Sequence, residues 1–123
     1  MNAVMEIERR LGYLPSDVSA KKCGYDVESE IPEGKRSDDG CLRFIEVKGR
    51  AKGATTVTVS KNEILTGLNR PDEFILAIVE VDGQDTKTVY LKKPFKTAPD
   101  FTATSVNYNI VDLVGDSQIV YQE

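Results

Sequence analysis

Apolar residues recur at three- and four-residue intervals near the start of the chain, where Val4, Ile7 and Leu11 share one face of NAVMEIERRL. That spacing predicts an amphipathic helix over residues 2–11, with Gly12 as its stop. LPSDVS then reads as a loop. Beyond it the pattern changes to alternation. YDVESEI and CLRFIEVKGR predict two strands, joined into a hairpin by the polar, glycine-bearing loop PEGKRSDDG. TTVTVS, rich in β-branched residues, predicts a third strand.

The helical period returns in SKNEILTGLNRP. Ser60 followed by Glu63 fits a capping box, in which each side chain satisfies the other residue's backbone N–H. Ile64, Leu65 and Leu68 supply an apolar face, and Pro71 ends the segment. EFILAIVEV is almost continuously apolar, as a central strand buried on both faces would be. DGQDTK reads as a turn, TVYLKKPF as a returning strand, TAPDFTAT as a loop and SVNYNIVDLV as a late strand. The order α-β-β-β-α-β-β-β predicts an α+β (α/β) fold with a mixed central sheet and flanking helices. A chain of 123 residues suits one domain, residues 1–123.

Composition narrows the chemistry. The chain has no histidine and only two cysteines, Cys23 and Cys41. A Cys/His zinc site, a disulfide framework and a histidine-based triad are therefore excluded, and both cysteines are expected as small buried or semi-buried fillers in a reducing, cytoplasmic setting. No apolar run is long enough to cross a membrane. Glu6, Glu8, Arg9 and Arg10 break up the opening segment, which does not read as a signal peptide. The net charge of −4 argues against a strong non-specific grip on nucleic acid. Local basic groups, Lys21 and Lys22, Lys35 and Arg36, then Lys48, Arg50 and Lys52, leave room for weak or delivered contact.

Charges inside the predicted hairpin raise the functional question. Side chains alternate along a strand, so Leu42, Phe44, Glu46 and Lys48 share one face and Arg43, Ile45 and Val47 the other. A hairpin closing near Arg36 sets Asp26 roughly opposite Ile45 and next to Glu46. Two carboxylates that close repel each other, and one tends to hold a proton. A divalent cation removes the conflict, and oxygen ligands suit Mg²⁺. With Lys48 two residues beyond Glu46, the group has the parts for metal-assisted phosphodiester hydrolysis. A salt-bridged patch on a solvated sheet face is the alternative that the same pattern allows.

VMEIERRLGYLPSDVS, GYDVES, IEVKGR and SKNE, taken in this order, resemble the PD-(D/E)XK restriction-endonuclease-like superfamily. The more specific likeness is to the helicase-associated domain found at the C-terminus of the plant protein NO VEIN, and it covers about residues 4–80. The resemblance implies a restriction-endonuclease-like sheet and a Mg²⁺- or Mn²⁺-dependent nuclease acting on DNA. In that reading Asp26 and Glu46 hold the metal with the Val47 carbonyl, and Lys48 is the catalytic lysine. Glu8, with Glu6 as its competitor, is the helix glutamate that faces the site. DNA would come by way of a fused or associated helicase or ATPase, the chain itself standing alone or forming part of a larger polypeptide. Tyr25 stands where the superfamily's name has proline, and no Q-x-x-x-Y motif follows EVKGR. A catalytically inactive nucleic-acid- or protein-binding module on the same fold is the alternative.

Overall fold

Unbroken apolar sequence puts Phe74–Asp82, strand β5, at the centre of the fold, with Phe74, Ile75, Leu76 and Ala77 all fully buried. The computed structural model describes residues 1–36 and 40–123, so positions 37–39 of the expected hairpin loop lie outside the described residues. The other elements are α1 (Asn2–Arg10), β1 (Leu14–Asp17), β2 (Val27–Glu30), β3 (Leu42–Ala51), β4 (Thr56–Ser60), α2 (Lys61–Asn69), β6 (Asp85–Lys92), β7 (Ser105–Asn109), α3 (Ile110–Gly115) and β8 (Gln118–Gln122). A six-stranded sheet runs in the order β1-β2-β3-β5-β6-β8, and β4 pairs with β7 in a separate two-stranded sheet. Only β3 and β5 run parallel among the described ladders. Parallel neighbours need a long crossover, and β4 with α2 supplies it. The fold is thus α+β with a mixed central sheet, as the pattern predicts.

Each face of that sheet has its own core. Val4 and Ile7 of α1 pack against Val27, Ile45, Ile75, Ala77 and Tyr90. On the other face Val57, Val59, Ile64 and Leu113 cover Phe74, Leu76, Ile78 and Leu91. Each buried aliphatic or aromatic side chain contributes about 1.5–3 kcal/mol. Gly67 lets α2 sit close to this second core, because a Cβ there would lie 2.8 Å from Phe95 Cδ2 and 3.0 Å from Phe74 Cδ1.

Two expected elements differ, and one strand was not expected. Residues 14–17 form edge strand β1 rather than a loop, pairing with β2 from Leu14↔Glu30 to Asp17↔Val27. Proline is tolerated there because an edge strand needs no donor on its outer side. SVNYNIVDLV is not one strand. It breaks at Asn109, whose side chain accepts a 3.0 Å hydrogen bond from Asp112 N–H and so caps α3. Strand β8 beyond it had no counterpart in the pattern reading; it pairs with β6 through a register shift near Tyr90 and Leu91.

Candidate functional site

Strand β3 presents its side chains to two different layers. Ile45 and Val47 belong to the α1 side, whereas Glu46 and Lys48 meet Glu63 at the start of α2. Strand β2 delivers Asp26 to the same place from its end. Val27, not Asp26, lies opposite Ile45, so Asp26 comes one step further along, level with Glu46. Its N–H donates to the Ile45 carbonyl at 2.9 Å, and its Oδ2 accepts from Val47 N–H at 2.9 Å. The Val47 carbonyl points to the same edge as its N–H, as the two polar groups of one extended residue do. The residue pattern therefore brings together Asp26, Glu46, Lys48 and the Val47 backbone.

Gly24 makes that delivery possible. Its φ is +93°, in the left-handed region, and a Cβ would run into Thr66 Oγ1 of α2. The segment ahead of Asp26 can therefore lie against the helix. A cleft of about 240 Å³ opens beside it, lined by Ser19, Lys22, Asp26, Glu46, Ser60 and Glu63 among others.

The electrostatics of the cleft are unequal. Glu46 is only 3 % exposed. Burial, reinforced by the neighbouring Asp26 and Glu63 carboxylates, pushes its carboxyl up to about 11, so it carries a proton at neutral pH. Burial alone would raise Glu63 too. Hydrogen bonds from Glu46, Lys48 and the Ser60 N–H outweigh it and hold Glu63 at about 2. Glu63 Oε1 accepts from Lys48 Nζ at 2.8 Å and from Ser60 N–H at 2.8 Å. The reciprocal bond, Glu63 N–H to Ser60 Oγ at 3.2 Å, completes the capping box. Glu63 thus caps α2 and also holds the strand lysine. The capping signature was legible in the sequence, but its partnership with Lys48 spans two elements and left no local signal.

The structure puts Glu8 elsewhere. It is fully buried on the α1 side, where Oε1 accepts from Arg43 Nε at 2.8 Å and Oε2 from Arg43 Nη2 at 3.1 Å and the Tyr90 hydroxyl at 3.0 Å. Arg43 has the opposite parity to Glu46 on β3, so the sheet separates this ion pair from the cleft. The competitor Glu6 is exposed on α1 and lines no part of the cleft. The expectation that a helix glutamate supports the metal-binding group is corrected accordingly. Cys23 and Cys41, expected as buried or semi-buried fillers, are both exposed. Lys52 pairs with Asp82 at 3.4 Å, and Lys61 Nζ donates to the Phe101 carbonyl at 3.0 Å.

The model of the family described as protein NO VEIN, C-terminal, matches residues 1–91. The chain belongs to the NO VEIN C-terminal family. The span shared with the NO VEIN domain runs from α1 into β6 and contains Asp26, Glu46, Lys48 and Glu63. Comparison with curated proteins returns no match. Among the described residues, no three His, Cys, Asp or Glu side chains of this NO VEIN domain form a group able to hold a metal ion. No helix among them is long and apolar enough to cross a membrane.

The donor chemistry of the cleft nonetheless suits a hard cation. Mg²⁺ is commonly bound through one or two carboxylates and completed by water and phosphate oxygens. Asp26 and Glu46 are two such carboxyls; burial is the chief reason Glu46 keeps its proton, and the adjoining Asp26 and Glu63 carboxylates add to it.

Proposed function

We propose that this NO VEIN C-terminal domain is a Mg²⁺- or Mn²⁺-dependent nuclease of the PD-(D/E)XK type that hydrolyses DNA phosphodiester bonds. The observation that carries the reading is the buried Glu46 beside Asp26, with Lys48 projecting from the same strand face. Asp26 and Glu46 would hold the cation, assisted by the Val47 carbonyl. The cation would supply Lewis-acid neutralisation of the phosphate.

The chain's own residues supply the rest. Val47 N–H fixes one Asp26 oxygen and leaves the other for the cleft. Glu46 gives up its proton when positive charge enters. Lys48, held by Glu63 at 2.8 Å beside the cleft, would orient the attacking water or offset charge on a phosphate oxygen. Glu63 is a positioning residue: it acts through Lys48. The acidic balance of the chain, net −4, suits DNA delivered by a fused or associated helicase or ATPase rather than captured from solution.

The test is cleavage of single-stranded, duplex and branched DNA with Mg²⁺ or Mn²⁺, beside Lys48→Ala. Metal-dependent cleavage that disappears in the variant supports the reading. Cleavage indifferent to the substitution identifies a contaminant.

One observation favours a second reading, a catalytically inactive nucleic-acid- or protein-binding module. Lys48 is already engaged by Glu63 at 2.8 Å. Metal that binds the folded chain alone raises its apparent stability. No thermal shift in millimolar Mg²⁺ or Mn²⁺, together with no cleavage, selects the module.

A further inference from the structure

We infer that a second hollow, sharing Tyr25 with the acidic cleft, receives one unstacked nucleobase, and that the domain's substrate is therefore an unpaired DNA strand. The inference rests on the nuclease reading for the identity of the ligand, and on separate residues for the pocket. The hollow measures about 310 Å³ and is lined by Cys23, Tyr25, Phe44, Thr66, Asn69 and Arg70. Tyr25 also lines the acidic cleft, where it directly precedes Asp26. A phosphate at the carboxylates would thus have its neighbouring base at the Tyr25 wall.

The lining has the chemistry that recognises a base. Tyr25 stacks on Phe44 with ring centroids 4.5 Å apart and planes within 16°. Phe44 is buried, so Tyr25 rests on a fixed ring and is held as a flat platform. Aromatic faces of this kind accept any base by stacking. The Arg70 guanidinium lies 5.7 Å from the Phe44 centroid and pairs only loosely with Glu73, at 3.9 Å. It adds a planar cation that can stack or meet a phosphate. Asn69 is exposed beside it, and a side-chain amide offers both donor and acceptor to a base edge.

A platform buried on one side and hemmed by α2 admits a base only out of its stack. In duplex DNA that step costs unstacking and unpairing, whereas a single strand avoids most of the cost. The acidity of the chain works in the same direction. Stacking contributes affinity that does not depend on an excess of positive charge.

The experiment measures binding in EDTA, where no metal-dependent cleavage occurs. The probes are a labelled single strand of about eight nucleotides, its duplex, and a fully abasic strand of equal length that keeps every phosphate. The expected result is binding of the single strand about tenfold tighter than either of the others. Tyr25→Ala, Asn69→Ala and Arg70→Ala should each weaken it, Tyr25→Ala by about tenfold. Asn69 and Arg70 are exposed, so their variants keep the fold and remain informative if Tyr25→Ala does not. Equal affinity for the abasic strand, no binding of the natural strand, or unchanged binding by folded Asn69→Ala and Arg70→Ala overturns the pocket. Base-dependent binding with no cleavage in Mg²⁺ removes the nuclease reading and leaves the pocket. Cleavage without base-dependent binding does the reverse.

Discussion

Arg43 and Glu8, 35 residues apart in sequence, meet in a two-point ion pair that ties helix α1 to strand β3. The Glu8 carboxylate is fully buried, and Tyr90 closes over it with a third hydrogen bond. Tyr13 stacks on the same guanidinium, with Arg43 Cζ 4.5 Å from its centroid. Removing one partner of a buried pair leaves the other charge uncompensated, which costs about 3–5 kcal/mol. Arg43→Ala should therefore lower stability by about that amount, as read by urea unfolding. Glu8→Gln should also destabilise, while the folded fraction keeps the Mg²⁺ response of the parent. A Glu8→Gln variant that folds normally but loses its metal response would restore Glu8 to the site.

Lys48→Ala should slow cleavage by on the order of 10²–10³-fold, with a Mg²⁺-induced thermal shift retained. Glu63→Ala is expected to do two things. Loss of the reciprocal bond to Ser60 N–H should cost about 0.5–1.5 kcal/mol, with the Ser60 half of the capping box kept, and the released Lys48 should lower the rate without abolishing it. Glu63→Gln keeps a side-chain acceptor for Ser60 N–H, so it should recover most of the stability but not the charge that holds Lys48. Comparing melting temperature with rate across the two variants separates capping from positioning.

The raised carboxyl of Glu46 fixes a sign for the pH dependence without metal. Its folded value, about 11, lies above the unfolded value near 4.5. Between these limits the unfolded state releases a proton that the folded state retains, so this group's contribution to stability falls as pH rises. It is fully present below about pH 4.5 and is lost steadily on the alkaline side. Glu46→Gln mimics the neutral carboxyl and should flatten that slope, gaining about 1–2 kcal/mol at pH 8 over the parent in EDTA. Denaturant titrations at pH 5 and pH 8 check it. A parent that is no more stable at pH 5 than the variant's slope allows contradicts the buried, protonated Glu46.

Gly24→Ala should damage both hollows at once. Its φ of +93° strains any side chain, and the added Cβ would collide with Thr66. A cost of about 1–3 kcal/mol is expected, with loss of metal response because Asp26 moves. Thr66→Ser in the same chain makes no room at Oγ1, whereas Thr66→Ala does. Partial rescue by Thr66→Ala alone, measured as thermal midpoint, would trace the damage to this contact.

Much of the framework was legible because its elements carry local signals. Val4 and Ile7 at helical spacing, the Ser60–Glu63 cap and the apolar run of β5 each act within a few residues. Alternation along β3 also separates Glu46 and Lys48 from Arg43. What escaped was decided across the sheet. Glu8 and the apolar residues Val4 and Ile7 fall on one buried side of α1, but no local pattern says which sheet face that side will meet. Its partner Arg43 could only be found from the packing. Likewise β1 and β8 are short edge strands with mostly exposed side chains, so their pairing with β2 and β6, not their own sequence, defines them. The capping role of Asn109 depends on a turn, not on hydrophobic period, so the alternating pattern around it reads as strand.

Strand β3 divides two kinds of work between neighbouring positions. Arg43 and Ile45 anchor a helix, while Glu46 lines a cleft and Lys48 pairs with Glu63 at its wall. Substitutions at 43, 45 and 48 should consequently divide: losses of soluble yield at 43 and 45, and folded but altered protein at 48. A drifting lineage could silence its chemistry at Lys48 and keep its architecture intact.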